Sequence, residues 1–112
     1  MPSLSGGGSM ATAVGKRIKE SRLRMKLSQS ELGTRAGLSA EGAAQRISQY
    51  ELGIHDPPLE LVEKFAQVLG LPTPYFYAKD DQLADWILAF TKTSASKRRA
   101  IVDEAGIPSR KS

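Results

Sequence analysis

The sequence predicts an all-α fold organised around one core. Apolar residues recur at helical spacing, as in Leu83, Trp86, Ile87 and Phe90, which fall at i, i+3, i+4 and i+7. Serine, threonine or aspartate precedes several such stretches and glycine follows them, which is the usual pattern at helix starts and ends. With 112 residues, the chain is long enough for one small domain with a single core.

The first ten residues and the first helix have contrasting compositions. Residues 1–10 are rich in glycine and serine, which predicts a flexible leader or a tag remnant. A helix is expected from about residue 11 to residue 25, and its buried stripe comprises Val14, Ile18, Ser21 and Met25. The rest of this helix and its end are basic and are expected to be solvated: Lys16, Arg17, Lys19, Arg24 and Lys26.

Residues 28–53 are predicted to form a helix, a tight turn and a second helix. Ser28 at the N-cap and Glu31 three residues later match a capping box. Gly33 lies where the second helix must cross, and its lack of a side chain lets the two backbones approach closely. Gly37 is suited to end the first helix in a left-handed conformation.

The second helix of this pair carries an apolar pair at i, i+3 spacing, Ile47 and Tyr50. Ser39 is available as its cap, and Gly53 follows its end. The two helices and their turn resemble the helix-turn-helix of the phage repressor and Cro-like family of bacterial DNA-binding domains. The matching residues are Leu27, Ser28, Gln29, Glu31, Leu32, Ala36, Gly37, Leu38, Ser39, Ile47, Ser48, Glu51 and Gly53.

The resemblance extends from about Gly15 to Tyr77 and implies a compact five-helix repressor-like domain, to which this chain adds two C-terminal helices. It also implies a structural ion pair between Arg22 and Glu51. A planar guanidinium suits a carboxylate because two parallel hydrogen bonds can form.

The length of the turn departs from the family pattern, because residues 40–43 look inserted. If Ser39 caps the second helix, that helix spans residues 40–51 and gains about one turn, roughly 5.4 Å. If Gly42 breaks it, the turn is a longer loop and the helix starts near Ala43. We expect the longer helix, because Ala43, Ala44 and Gln45 favour helix and one glycine costs only about 1 kcal/mol.

The second helix is expected to enter the major groove, where glutamine can bond adenine and arginine can bond guanine through two hydrogen bonds. The expected base contacts are Glu41, Ala44, Gln45, Arg46 and Gln49. Phosphate contacts are expected from Lys26 at the end of the preceding helix and from Ser48 on the second helix, which is the recognition helix. The resemblance implies two more, from Gln29 at the start of the first helix of the pair and from His55 in the loop after the second, although His55 could also be a plain loop residue.

A fourth helix is expected from about Pro58 to Leu69, with a core face formed by Leu59, Val62, Phe65, Ala66 and Leu69. A short helical turn follows, for which Thr73 can act as the cap and Pro74 as the first residue. Tyr75 and Tyr77 could be base-stacking aromatics, but we expect them to pack against the domain. We assign residues 11–78 to the DNA-binding domain.

Residues 79–106 are predicted to form a helical extension and residues 107–112 a disordered tail. Asp80 or Asp81 caps a helix that ends near Thr91, and Ser94 caps a last helix that ends near Ala105. The apolar stripe of the first of these helices has two candidate roles: a homodimer interface or packing on the domain's own core. Its residues are Leu83, Trp86, Ile87 and Phe90.

Charge is distributed unevenly along the chain. The net charge is +4, and eight basic against four acidic residues lie in positions 1–55. Positions 56–91 hold two basic and six acidic residues, and positions 92–112 hold six basic and two acidic residues. This pattern is expected if the basic segments face the phosphate groups of a nucleic acid and the acidic middle segment faces away from them.

Several classes of function lack sequence support. The chain has no cysteine and one histidine, so thiolate metal sites are excluded and we expect neither a metal nor a cofactor. It lacks a glycine-rich phosphate loop and a nucleophile–base set, so we do not expect an enzyme. No apolar run reaches 18 residues and no secretory signal is evident, which indicates a cytoplasmic protein of the bacterial nucleoid.

The function predicted from these features is a sequence-specific double-stranded DNA-binding transcriptional regulator, acting as a homodimeric repressor. The alternative is an antitoxin-like module that neutralises a protein partner through residues 79–112. The residues beyond the DNA-binding core favour this alternative, because the core does not require them.

Overall fold

A computed structural model of the chain describes residues 10–110, and side chains from residue 13 onward. All regular elements in this part are helical, which confirms the all-α prediction. In chain order they are α1 (Met10–Arg24), α2 (Gln29–Arg35), α3 (Ala43–Glu51), α4 (Leu59–Leu69), a 3₁₀ helix (Thr73–Tyr77), α5 (Asp81–Thr91) and α6 (Ala95–Glu104). The expected leader lies, apart from Met10, outside the described residues.

The core lies where α1 to α4 and the 3₁₀ helix meet. Its fully buried side chains are contributed by each of these elements and include Ile18, Leu32, Ile47, Val62, Phe65, Tyr75 and Phe76. Tyr50 of α3 packs edge-on against Phe65 of α4, with ring centroids 6.4 Å apart. The core thus joins the helix-turn-helix to the elements that follow it.

The end of α1 differs from the prediction at Met25, which is exposed rather than buried. The helix stops at Arg24, and Lys26 adopts a left-handed conformation with a φ of 59°. The Leu27 amide then donates to the Arg22 carbonyl at 3.0 Å, which reverses the chain direction. Because of this reversal, Leu27 fills the core position that Met25 was expected to occupy.

The prediction of a longer recognition helix from residue 40 to residue 51 is wrong. Residues 40–42 form a turn, α3 begins at Ala43, and Ser39 does not cap it. Gly42 has a φ of 88°, a conformation that a right-handed helix cannot contain. Residues 39–42 are all exposed, so packing provides no contacts that would stabilise an extra turn of helix.

The position of the α3 start is set by its crossing with α2. Ala43 is 1% exposed, and a Cβ atom placed on Gly33 would lie 2.9 Å from the Ala43 Cβ. Ala43, Ile47 and Tyr50 follow at i, i+4 and i+7 and form the buried face of α3. The close approach expected at Gly33 is therefore made by the first residue of α3.

Smaller differences occur in α4 and the 3₁₀ helix. Pro58 is the N-cap of α4 instead of its first helical residue, and Leu59 is 54% exposed while Leu61 is buried. Pro72 takes the cap position that was expected for Thr73. Tyr75 is fully buried and Tyr77 is half-buried, so neither is free to stack on a base.

The extension packs on the domain through a narrow contact. Asp80 caps α5 and accepts a 2.7 Å hydrogen bond from the Gln82 amide, but Ala84 is the one fully buried residue of the helix. Helix α6 starts at its expected Ser94 cap and contains no buried residue. None of the helices in the described part of the chain is long and apolar enough to span a membrane.

Candidate nucleic-acid interface

The first turn of α2 is closed by the expected capping box. The Glu31 amide donates to Ser28 Oγ at 2.9 Å, and the Ser28 amide donates to a Glu31 carboxylate oxygen at 2.8 Å. These bonds lower the pKa of Glu31, the larger effect being that of the Ser28 backbone amide. The fixed first turn sets the direction of α2 and the place at which α3 docks.

Helix α3 has two distinct faces. Outside its packed face lie side chains that are exposed or half-buried: Ala44, Gln45, Arg46, Ser48 and Gln49. Gln45, Arg46 and Gln49 line one shallow recess together with the turn residues Ser39, Glu41 and Gly42. The structure thus brings four of the five expected base-contacting residues to one concavity, whereas Ala44 lies outside its lining.

Arg46 is partly occupied by a contact within α3. Its Nη2 donates to the Tyr50 hydroxyl at 2.8 Å, and its guanidinium lies 5.7 Å from the centre of the Tyr50 ring. Tyr50 is itself buried, so this contact holds one side of the Arg46 guanidinium against the helix. The remaining N–H groups of the guanidinium are available to an external acceptor.

The expected pair of Arg22 and Glu51 is present and extends into a three-residue network. Arg22 Nε and Nη2 lie 2.7 and 3.1 Å from the two carboxylate oxygens of Glu51. Both side chains are nearly buried, at 9% and 4% exposure. Arg22 Nη1 also donates to the Leu27 carbonyl at 3.0 Å, so this side chain ties the end of α1 to the end of α3.

Gln29 is the third member of the network. Its Nε2 donates to Glu51 Oε1 at 3.1 Å, so in the unliganded chain part of its amide faces a protein carboxylate. One N–H of the same nitrogen and the amide oxygen stay available at the start of α2. Glu51 therefore orients the side chain that was expected to hold a phosphate.

The other expected phosphate contacts lie at separate points around α3. Lys26 is exposed at the reversal after α1, and His55 is exposed in the loop after α3. Ser48 is half-buried on α3 itself. The Arg22–Glu51 pair joins the ends of α1 and α3. Lys26 follows the end of α1 and His55 follows the end of α3.

The sequence interpretation missed a buried arginine. Arg17 was assigned to the solvated face of the first helix, but it is 1% exposed. Its Nε donates to the Ala78 carbonyl at 2.8 Å, and its Nη2 lies 2.9 Å from Asp81 Oδ1. A signal was available, because Val14, Arg17, Ile18 and Ser21 together complete the i, i+3, i+4, i+7 spacing of a buried stripe.

The Arg17 site also includes a tyrosine and a glutamate. The Tyr75 hydroxyl donates to Glu20, and the Arg17 guanidinium lies 5.8 Å from the Tyr75 ring centre. Burial, assisted by Glu20, raises the pKa of Tyr75 to about 12. Hydrogen bonds from Lys16 and then Arg17 lower the pKa of Asp81. This cluster attaches α5 to α1, on residues outside the helix-turn-helix itself.

Among residues 10–110, no three histidine, cysteine, aspartate or glutamate residues are grouped so that they could hold a metal ion. The polar face of α3 and the turn that contains Glu41 form a hydrogen-bonding surface. The nearly buried Arg22–Glu51 pair, with Gln29, joins the end of this helix to α1 and α2.

Comparisons with known proteins agree with this geometry. A helix-turn-helix family model matches residues 18–76. A solved structure, described as that of the transcriptional regulator BswR, superposes with a TM-score of 0.76 and is 32% identical in sequence. The match covers 82% of this chain and 91% of that one. No curated protein gave a match.

Proposed function

The chain belongs to the helix-turn-helix family and is a DNA-binding transcription regulator; on that premise, we propose that it recognises specific double-stranded sequences by placing α3 in the major groove. The observation that carries this proposal is the division of α3 into a packed face and a free polar face. Ala43, Ile47 and Tyr50 hold the helix on the core, while Gln45 and Gln49 point away from it. A regulator of this kind would act in the bacterial nucleoid.

Each residue on the free face has a defined capacity for base reading. Gln45 and Gln49 can each offer a donor and an acceptor to adenine, and a good bidentate pair discriminates by about 1–3 kcal/mol. Arg46 can donate to guanine with the N–H groups that Tyr50 does not use. Ala44 offers a methyl group to thymine, and Glu41 offers a carboxylate to the cytosine amino group.

Glu41 would also contribute by exclusion. Its carboxylate is exposed in the turn and lines the same recess as Gln45 and Arg46. Phosphate groups repel the Glu41 carboxylate unless a base amino group donates a hydrogen bond to it. Glu41 would therefore weaken binding to DNA sequences that place no amino group opposite it. The extra turn residues thus add one reading position beside α3.

Phosphate contacts would fix the register of α3. Gln29 lies at the start of α2, where the helix dipole favours an anion. Lys26, Ser48 and His55 would hold neighbouring phosphates. Such contacts set orientation and affinity, while base contacts on α3 set specificity.

We further propose that the protein acts as a homodimeric repressor. One helix reads a short site, and two copies on half-sites spaced roughly 34 Å apart would lengthen it. The exposed stripe of Leu83, Trp86 and Phe90, with Ile87 beside it, is the surface we assign to self-association. Occupation of an operator by such a dimer blocks transcription without catalysis or a cofactor.

The test is a selection of bound duplexes followed by competitive binding at fixed salt. Changing Gln45 and Gln49 together to alanine should weaken the preference for the selected sequence by about 2–6 kcal/mol in total. Binding to random duplex should change little, because the phosphate contacts remain. Gln67→Ala, which removes an exposed glutamine on α4, serves as the control and should behave as the unmodified chain.

Two results would contradict the proposal. Equal affinity of the unmodified chain for selected and random duplex would exclude sequence-specific recognition. An unchanged preference in the Gln45 and Gln49 double variant would show that a different face of the molecule reads the bases.

A second function, neutralisation of a protein partner in the manner of an antitoxin, is favoured by one observation. The extension exposes large apolar side chains that the DNA-binding region does not need, among them Leu83 and Trp86 at 52% and 59% exposure. Co-purification of a stoichiometric protein from the native host would support this function. A pure homodimer that captures no partner through residues 79–112 would count against it.

A further inference from the structure

Tyr50 gives α3 a rigid side chain that ends beside Arg46. It is 5% exposed, and its ring packs edge-on against the Phe65 ring of α4 with the two centroids 6.4 Å apart. A tyrosine side chain has few rotatable bonds, so a ring packed in this way has little freedom left. The Tyr50 hydroxyl therefore occupies a fixed position at the edge of the core.

Arg46 lies one helical turn before Tyr50 and is exposed. Its Nη2 donates to the Tyr50 hydroxyl at 2.8 Å, and its guanidinium carbon lies 5.7 Å from the centre of the Tyr50 ring. A long side chain loses conformational freedom when a ligand fixes it, and this loss weakens binding. The two contacts with Tyr50 impose part of that order on Arg46 before any ligand arrives.

The contact leaves Arg46 able to form two parallel hydrogen bonds. A guanidinium has a parallel pair of N–H groups along its Nε–Nη2 edge and another along its Nη1–Nη2 edge. Each pair uses a different hydrogen of Nη2, and the Tyr50 hydroxyl engages one of them. Whichever hydrogen that is, one parallel pair stays complete, and the contact with Tyr50 sets its direction.

Arg46 is on the surface to which base reading is assigned, whereas Tyr50 is not. Gln45, Arg46 and Gln49 line the same recess, and Tyr50 lies outside its lining. A hydroxyl also holds the guanidinium without neutralising its charge, so the attraction to an acceptor is kept. Tyr50 can therefore influence base reading through Arg46 without touching a base itself.

We propose that Tyr50 is a positioning residue that makes Arg46 a selective reader of guanine. Guanine presents O6 and N7 as two acceptors in the major groove, which match a parallel pair of N–H groups. A guanidinium that is held engages these acceptors at a lower entropic cost than a free one, which instead shares its contacts among phosphates and other bases. The proposal rests on the proposed function, because α3 must enter the major groove, and it adds the residue that sets how sharply one base pair is read.

The main test is Tyr50→Phe, which removes the hydroxyl and keeps the ring with its contact on Phe65. The base pair that Arg46 reads is first identified in the selected duplex as the pair at which Arg46→Ala loses its preference for guanine. At that pair, Tyr50→Phe should lower the preference for guanine about threefold to tenfold, as expected for the loss of one hydrogen bond. At the pairs read by Gln45 and Gln49, the change should stay below about twofold.

A double variant separates positioning from a structural role. If Tyr50 acts through Arg46, adding Tyr50→Phe to Arg46→Ala should leave the preference at this pair as it is in Arg46→Ala alone. Replacing guanine at this pair with 7-deazaguanine removes the N7 acceptor, so it should weaken binding of the unmodified chain severalfold and weaken binding of Tyr50→Phe less. A loss of helix packing would instead lower the preference at every base pair.

Tyr77→Phe is the matched control, because it removes a hydroxyl from a half-buried tyrosine on the 3₁₀ helix, outside α3. It should show the base preferences of the unmodified chain. Urea denaturation of Tyr50→Phe and Tyr77→Phe establishes that each variant is folded under the conditions of the binding assay.

Three results would overturn the proposal: a full preference for guanine in Tyr50→Phe, an equal loss at every base pair, or a further loss when Tyr50→Phe is added to Arg46→Ala. Failure can also be told apart from failure of α3 as the reading helix. An Arg46→Ala variant with unchanged preferences, beside a double Gln45 and Gln49 variant that loses them, refutes only the role of Tyr50. Unchanged preferences in both variants refute the reading by α3 as well.

Discussion

Glu51 is a carboxylate that the fold surrounds with donors. Arg22 reaches it from α1 with two N–H groups, and Gln29 reaches it from α2 with one. The glutamate itself belongs to the last turn of α3, so α1, α2 and α3 meet at one side chain. The position of α3 relative to α2 therefore depends on hydrogen-bonded charge as well as on apolar packing.

Replacing Arg22 with alanine should lower the free energy of unfolding by about 3–5 kcal/mol, because it leaves a nearly buried carboxylate without its cation. DNA affinity should fall with it, since Gln29 and the end of α3 lose their common support. Urea denaturation measures the first effect and duplex titration the second.

Arg24→Ala is the matched control for this change. Arg24 lies on the same helix and forms a 4.0 Å pair with Glu20, but half of its side chain is exposed. Its loss should cost less than about 1 kcal/mol. If the Arg22 and Arg24 variants were equally stable, the network would not hold the helices together.

At the scale of elements, the crossing of α1 and α3 allows no side chain at one position. A Cβ atom on Gly15 would overlap the Tyr50 carbonyl and lie 2.7 Å from the carbonyl oxygen of Glu51. These atoms belong to the backbone, so the clash can be relieved only if one helix moves. The same crossing carries the Arg22–Glu51 pair, so a shift there would disturb both.

Gly15→Ala should therefore destabilise the fold by about 1–3 kcal/mol, although alanine is the better helix former. Gly42→Ala provides the comparison, because no atom lies within 4 Å of its added Cβ and only the left-handed backbone opposes it. That change should cost about 1–2 kcal/mol without shifting α3 against α1. Thermal unfolding followed by circular dichroism would measure both, and a Gly15→Ala variant more stable than the unmodified chain would refute the clash.

Local signals predicted a large part of these elements. The Ser28–Glu31 capping box, the Gly37 end of α2 and the Ser94 cap of α6 lie where the sequence placed them. Each of these features depends on residues within a few positions of one another, so a short stretch of sequence is enough to predict it. The Arg22–Glu51 pair was accessible through family resemblance, since 29 residues separate its members.

The errors arose where distant contacts decide the structure. Helix propensity favoured a helix from residue 40, but docking of Ala43 against Gly33 and the left-handed Gly42 set the true start. Arg17 was placed in solvent because arginine is seldom buried, and two of its acceptors, the Ala78 carbonyl and Asp81, lie more than 60 residues further along the chain. Neither outcome can be derived from a short window of sequence.

For the whole molecule, acid should loosen both halves of the structure. The pKa of Glu31 is lowered by its capping bonds to Ser28, and that of Asp81 by its bonds to Lys16 and Arg17. A carboxyl whose pKa is lower in the folded chain stabilises the fold when it is ionised. That contribution is complete above the ordinary values of 4.5 and 3.8, and it is lost as the pH falls through the lowered ones.

Denaturation at a series of pH values below about 5 should therefore show falling stability. Glu31→Gln and Asp81→Asn should each lower stability at neutral pH and make the acid loss less steep, since one linked proton is removed. Asp85 is exposed on the same helix as Asp81, and Asp85→Asn therefore offers a control. Parallel profiles in all three variants and the unmodified chain would exclude this linkage.

The burial of Arg17 has a practical consequence for anyone trimming the chain. Its acceptors, the Ala78 carbonyl and Asp81, lie just beyond residues 18–76, and Arg17 itself lies just before them. A minimal fragment cut to residues 18–76 would lack this guanidinium, and one that began at Arg17 but ended at residue 76 would leave it with Glu20 alone among its acceptors. A portable DNA-reading unit designed from this protein should therefore start before Arg17 and retain Asp81, even when the association surface is removed.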